Sequence, residues 1–460
     1  MQKSRVKRVG ALLVGLSLVA AACGSDDDDD GAASTDAPEA TEATEDTEAT
    51  EDTEAPEATD APEATDAPEG TDAPSESGAS DGVLRLGGIL PETGNLAFLG
   101  PPEFAGVELA VQDINEAGGV LGADIEWLPG DSGDNGEVAN ATVDRLLAED
   151  VDGFIGAASS GVSLTVIDKI TGAGKIHFSP ANTSPTFTSY EDNRLYFRTA
   201  PSDVIQGAAL ADIMINDGAA TAGYLVLNDA YGTGLLEFSR APFEAAGGEV
   251  FEVQIYDPQA ENFDAVVAAI VEANPDAIVV IGFDESSNII AGLIESGMGP
   301  ADKLVYGTDG NMGNALAAEF DDPSAVAGMR GTLPGVDVAG ELADFRDGLL
   351  EVDPELIDFS YSAESYDAVV ITALAAEIAG ADDGVSVAAE INGVTRDGEK
   401  CTTFADCKAL IEAGTDIDYD GVSGELEFID AGEPSVASVL ILEFDENGEI
   451  FVDGSVDGAL

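Results

Sequence analysis

The sequence predicts an α/β protein made of two doubly wound, parallel-sheet lobes, and three observations predict it. From Val83 on, apolar runs of strand length alternate with alanine-rich segments of helical period, the signature of βαβ units and parallel sheets. The grammar of one such stretch recurs later in the chain in the same order. Finally, the region from Val83 to Leu460 is too long for one compact core and right for two lobes.

The elements in chain order begin with a leader. Lys3, Arg5, Lys7 and Arg8 precede an apolar run from Val9 to Ala22 that is too short to span a bilayer as a mature helix. Residues 1–22 therefore read as a signal peptide. Its end, Leu18-Val19-Ala20-Ala21-Ala22, leads into Cys23 and resembles a bacterial lipobox, with Ala20 where Leu is commoner. That makes Cys23 a lipidation site; plain secretion after an Ala-x-Ala site is the other reading, and both export the chain.

Gly24 to Gly82 contains five consecutive Asp and near-repeats of Thr-Asp-Ala-Pro and Glu-Ala-Thr, with no Lys, Arg or aromatic residue. Such a segment buries too little apolar surface to offset chain entropy. Residues 23–82 thus form a lipid-anchored acidic linker, with a reach on the order of 40 Å for a flexible chain of this length.

The whole chain has 91 acidic against 17 basic residues. Removing the 22 acids of the linker and the 4 bases of the leader leaves 69 acids against 13 bases from Val83 on. That balance argues against nucleic acid or an anionic membrane surface as partner. Of three cysteines, Cys401 and Cys407 remain after Cys23, and in an oxidising compartment they are expected to form a disulfide. Closing so short a loop stabilises by roughly 2 kcal/mol on a chain-entropy account.

In the first unit, strand 84–90, helix 103–116, Ala117-Gly118-Gly119, strand 124–128, helix 137–149 and the run Val151 to Gly156 end in Ser159-Ser160. The second unit follows the same plan. Strand 222–227, helix 234–245, Ala246-Gly247-Gly248, strand 250–256, helix 263–273 and the run Pro275 to Gly282 end in Ser286-Ser287. Two such lobes bring the ends of their parallel strands to facing crevices, so the pocket belongs between them.

Catalytic and cofactor signatures are absent. The single histidine, His177, sits in an apolar strand and reads as a sheet residue, which disfavours zinc or a Ser-His-Asp triad. Gly172-Ala173-Gly174-Lys175 lacks the earlier glycine and the Ser/Thr of a phosphate loop. No Gly-x-Ser-x-Gly elbow occurs. Asp416, Asp418, Asp420, Gly421 and Glu427 fit a calcium-loop expression. The segment after them reads as strand, however, so an acidic turn is preferred and no metal or other cofactor is expected.

Several short stretches now act together: Thr93-Gly94, Gly106 through Asp113-Ile114-Asn115, Gly118-Gly119, Gly156 to Ser160, and Ser179-Pro180-Ala181-Asn182-Thr183. Arg198-Thr199, Asp229-Ala230-Tyr231-Gly232 and Tyr366-Asp367-Ala368 complete the series. In order and spacing they resemble the branched-chain amino-acid (Leu/Ile/Val) binding proteins of ABC importers, with the type I periplasmic-binding fold. The resemblance covers nearly all of residues 83–460.

It implies a binding protein rather than an enzyme, with three hinge crossovers near Arg198–Pro201, Thr332–Pro334 and within 428–436. Lobe 1 would hold about 83–199 and 334–430, and lobe 2 about 201–332 and 436–460. Ser160 and Thr183 match hydroxyls that receive the ligand carboxylate, helped by backbone donors near Ala158 and Asn182. The helix opened by Ser160 also favours an anion, although a serine there equally suits a helix N-cap. Asp309 matches the acid, usually Glu, that takes the ligand ammonium; being one methylene shorter, it calls for a closer ligand or a bridging water.

Phe283 stands where the family has a Tyr, and Leu99 replaces another, with Phe98 beside it; Tyr231 and Tyr361 supply further walls. All of these also suit core positions. The resemblance implies a monomer that hands a small amino acid to an ABC permease and its ATPase, touching the membrane only through its anchor. Amide, urea or aromatic-acid solutes, or a sensing role for a signalling partner, are the alternatives.

Overall fold

The computed structural model describes residues 80–460. The leader, Cys23 and nearly all of the acidic linker lie outside the described residues. Among the described residues no helix is long and apolar enough to cross a membrane.

Five strands, β1 (Arg85–Ile89), β2 (Glu126–Leu128), β3 (Gly153–Gly156), β4 (Ile176–Ser179) and β5 (Tyr196–Arg198), form a sheet ordered β2-β1-β3-β4-β5. Every pair in it is parallel. A second set, β6 (Thr221–Leu227), β7 (Glu249–Tyr256), β8 (Ala277–Ile281), β9 (Leu304–Gly307) and β10 (Arg330–Pro334), is parallel too and ordered β7-β6-β8-β9-β10. The two orders agree strand for strand, so the repeat in sequence is a repeat in winding. β3, β4 and β8 are buried along their whole length, as parallel strands covered by helices on both faces must be.

A short parallel pair, β11 (Glu399–Cys401) and β12 (Ile417–Tyr419), stands apart from both sheets. It carries the disulfide: Cys401 and Cys407 are bonded, with Cα atoms 5.4 Å apart. The pair also takes up acids of the calcium-loop pattern. Residues 417–419 are strand, and Lys400 draws in the acids, 2.7 Å from Asp420 and 3.3 Å from Asp418. The turn that follows is held by Asp367, which accepts from Tyr419 OH (2.6 Å) and from the backbone N–H groups of Val422 (3.0 Å) and Ser423 (2.7 Å). No metal-binding group of three or more ligands occurs among the described residues. Tyr366-Asp367-Ala368 is therefore a buried bracket in helix Ser362–Ala379.

The second sheet is extended by an antiparallel hairpin, β13 (Val436–Phe444) and β14 (Ile450–Ala459), laid against β10. This pairing shows where the second crossover begins. Thr332–Pro334 lies inside β10, with Pro334 opposite Val439, and the chain turns only at Gly335, whose φ of 115° suits glycine. The chain passes between the sheets after β5, after β10 and before β13. A fully buried guanidinium ties the first passage to the third: Arg198 pairs with Glu433, and also donates to the carbonyls of Asn182 (3.1 Å) and Ser184 (2.9 Å).

Candidate functional site

The carboxyl ends of β3, β4, β6, β8 and β9 meet between the two sheets, the place where open parallel sheets bind ligands. Two glycines permit the approach. At Gly156, which ends β3 with φ of 112°, a Cβ would stand 2.5 Å from the carbonyl oxygen of Ile89. At Gly310 it would stand 2.8 Å from the Phe283 ring, so glycine lets that ring close over the loop.

Seven of the ten residues singled out from sequence line one small cavity: Leu99, Ala158, Ser160, Tyr231, Phe283, Asp309 and Tyr361. Leu96, Ser159, Ala181 and Gly310 complete its walls. The space is about 10 Å³, room for a single water, so a solute of amino-acid size requires the walls to part. The lobes touch across it: the Asp284 N–H donates to the Asn95 carbonyl (3.2 Å), and Ser184 Oγ donates to the Ala230 carbonyl (2.8 Å).

Asp309 occupies one wall with both oxygens engaged. Oδ1 accepts from Gln206 Nε2 (2.7 Å) and Tyr231 OH (2.8 Å), and Oδ2 accepts from Tyr361 OH (2.8 Å). Burial pushes its pKa up, while these three donors hold it down. All three donors are neutral, so among the described residues no cation is paired with Asp309. The Phe283 ring stacks on Tyr231 at 5.6 Å between centroids, closing the apolar side.

The opposite wall differs from expectation in detail. Ser159, not Ser160, caps helix Ser160–Gly172, its Oγ accepting from the Val162 N–H (3.3 Å). Ser160 is the first helical residue, and its Oγ accepts from the Ser184 N–H (3.3 Å). The capping explanation of Ser160 thereby falls away, leaving its hydroxyl at the cavity beside a helix start.

Three residues lie off the cavity. Asn182 is spent on structure: Nδ2 donates to the carbonyls of Ala157 (3.0 Å) and Ala158 (2.8 Å), Oδ1 accepts from Tyr196 OH (2.9 Å), and its N–H donates to Ser179 Oγ (3.0 Å). Thr183 lies beside the buried Asp203, yet its hydroxyl and both Asp203 oxygens lack a well-formed hydrogen bond. Burial, then the charge of Asp309, pushes Asp203 well above the carboxylate range. Phe98 lines a separate small space with Phe283 and Gly313.

Gln206 and Asp134 gave no sequence signal. Gln206, which braces Asp309, comes from the helix that follows the first crossover. At the cleft mouth Asp134 faces Asp229 and Glu285 of the other repeat; burial, then those charges, raises Asp134 to about 7, and burial raises Asp229 to about 6. His177 is buried in β4 with both ring nitrogens unbonded, and burial lowers it to about 3, as befits a sheet residue.

Comparison with known proteins agrees with this geometry. Residues 83–449 match the family described as periplasmic binding protein. The chain is 25% identical over 378 residues to a chemotactic signal transduction system substrate-binding protein, BasB, of Halobacterium salinarum, covering 79% of this chain and 87% of that one. It is 26% identical over 371 residues to Leu/Ile/Val-binding protein homolog 1 of Brucella abortus, covering 78% and 90%. Among solved structures, the branched-chain amino acid transporter substrate binding protein LivJ from Streptococcus pneumoniae, in complex with isoleucine, superposes with a TM-score of 0.67 at 22% identity. That match covers 82% of this chain and all of the other. With the fold, the duplicated winding and this match over most of its length, the chain belongs to the periplasmic binding protein family, as a type I member related to the branched-chain amino-acid binders.

Proposed function

We propose that the protein is the extracytoplasmic solute-binding lipoprotein of an ABC importer and carries a small amino acid, of branched-chain or similar size, between its lobes. The observation that supports this best is one small cavity with a buried acceptor, Asp309, on one wall and a helix start at Ser160 on the other. A zwitterion needs both: its carboxylate is favoured at the helix start, its ammonium at the acid. Phe283, Leu99 and Tyr361 line the same cavity and supply apolar surface for the side chain of such a solute.

In this reading the parted lobes first admit solute to the Ser160 wall. Motion at the three crossovers then brings in Asp309 and Phe283, and the shut form is what the permease receives. Cys23 and the linker keep the clamp near the membrane, and no covalent chemistry is done. Calorimetry on protein starting at Val83, against a panel of amino acids with urea, acetamide and benzoate as ammonium-free solutes, tests the ligand. Binding confined to the ammonium-free solutes would sink the amino-acid assignment. Cys23→Ala should release the full chain from the membrane fraction.

A second reading has one observation in its favour, the relative in Halobacterium salinarum whose name places it in a chemotactic system. Under it the shut form engages a separate receptor. Loss of labelled-solute uptake on deleting the gene supports import; intact uptake with lost taxis supports sensing.

A further inference from the structure

A second, open crevice lies beside the second crossover, reached from the central cavity only across the shared ring of Tyr361. Its volume is about 410 Å³, within the ~300–1,000 Å³ of small-molecule sites. Val336 and Phe359 wall it on one side and Leu440 and Leu442 on the other, with the half-exposed ring of Phe451 at the rim. The walls thus come from both sides of the crossover.

Three carboxylates and no lysine, arginine or histidine line this crevice. Two are engaged: Asp358 accepts from the Asn314 N–H (3.0 Å), and Asp337 from the Gly340 N–H (2.8 Å). The third, Glu364, is 3% exposed. Among the described residues no side chain donates to its carboxylate, and only its own backbone N–H helps it. Behind it stands Glu103, fully buried with neither oxygen hydrogen-bonded.

We propose that this crevice binds a small apolar ammonium ion, an alkyl- or arylalkylamine without a carboxylate, with Glu364 as its counter-ion. The apolar walls take the body of such a molecule out of water. Its charge pairs with Glu364 as that acid gives up its proton, so the buried ion pair offsets the cost of ionising a carboxyl out of water. A zwitterion or anion finds no cation here for its carboxylate, which separates this ligand class from that of the central cavity. Burial raises Glu364 to about 8, so at neutral pH docking an ammonium ion releases about one proton.

Hexylamine is a suitable probe, with 1-hexanol as its uncharged counterpart, both titrated calorimetrically into the intact chain in two buffers of different ionisation heat. Hexylamine should bind with proton release, and hexanol at least about tenfold more weakly. Glu364→Gln should weaken hexylamine by a similar factor and abolish the proton release, leaving amino-acid binding unchanged. Ala339→Trp, at the exposed rim, should block hexylamine independently, which covers the case of a Glu364 variant that fails to fold. The proposal is overturned if hexylamine does not bind, if hexanol binds as tightly, or if Glu364→Gln keeps full amine affinity. Loss of amine binding in Asp309→Asn would place the amine in the central cavity and overturn it equally.

Discussion

Where the first sheet ends, the chain turns through Gly156–Ser160 with small side chains and a helix start. Where the second ends, it turns through Tyr231, Phe283 and Asp309 with two aromatic rings and a buried carboxylate. One winding, used twice, thus presents donors on one wall and an acceptor on the other. The walls are also supported differently. The loop after β4 hangs on the charged pair of Arg198 and Glu433, whereas Asp309 is held by the neutral donors Gln206, Tyr231 and Tyr361. A charge that must accept an incoming cation is best held by groups that leave it a net charge. A scaffold charge is best neutralised outright.

The strongest way to break this contrast is to remove the scaffold pair. Arg198→Ala leaves Glu433 buried without its counter-ion and should cost about 3–5 kcal/mol of stability in chemical denaturation. Asp309→Ala should instead spare the fold and cost about 2–5 kcal/mol of affinity for an ammonium-bearing solute, measured calorimetrically. An unchanged affinity would remove Asp309 from the site. Ser160→Ala probes the donor wall and should cost about 1 kcal/mol of affinity, provided Ser159 continues to cap the helix. Tyr361→Phe removes one of the three donors to Asp309 and should also cost roughly 1 kcal/mol or less.

The smallest expected effect is that of pH. With the cleft shut, Asp134 rises to about 7 and Asp229 to about 6, burial being the first cause in each. A carboxyl raised in the shut form favours that form when protonated. The advantage is complete below the ordinary carboxylate range and fades as pH rises through about 6 to 7. Affinity should therefore be higher at pH 5.5 than at pH 8, by less than about tenfold because Asp134 keeps some solvent contact. Asp134→Asn should flatten the profile; an unaltered slope would show that these acids do not face each other as the lobes close.

Much of this could be read along the chain. The repeat of strand, helix and glycine turn dictated the matching orders of the two sheets, since βαβ units wind one way. Asp309 and Ser160 were singled out through the family resemblance, and each follows a parallel strand, where such sheets place their ligands. Asn182 and Thr183 follow a strand too, yet Asn182 is held in structural hydrogen bonds and Thr183, its hydroxyl unpaired, lies off the small cavity. Asn182 meets the carbonyls of Ala157 and Ala158, brought in by the neighbouring strand, and Thr183 meets Asp203 from across the crossover.

The sequence by itself therefore determined the elements, their duplication and the edge on which the cavity lies, because strand and helix periods are local and each parallel strand has only one carboxyl end. Tertiary structure alone decided which groups remain free for a ligand. Gln206 lies 103 positions from Asp309 along the chain, and Tyr361 lies 52 from it. Whether a buried polar group is satisfied at home or left to bind something else depends on partners that only folding brings within 3 Å.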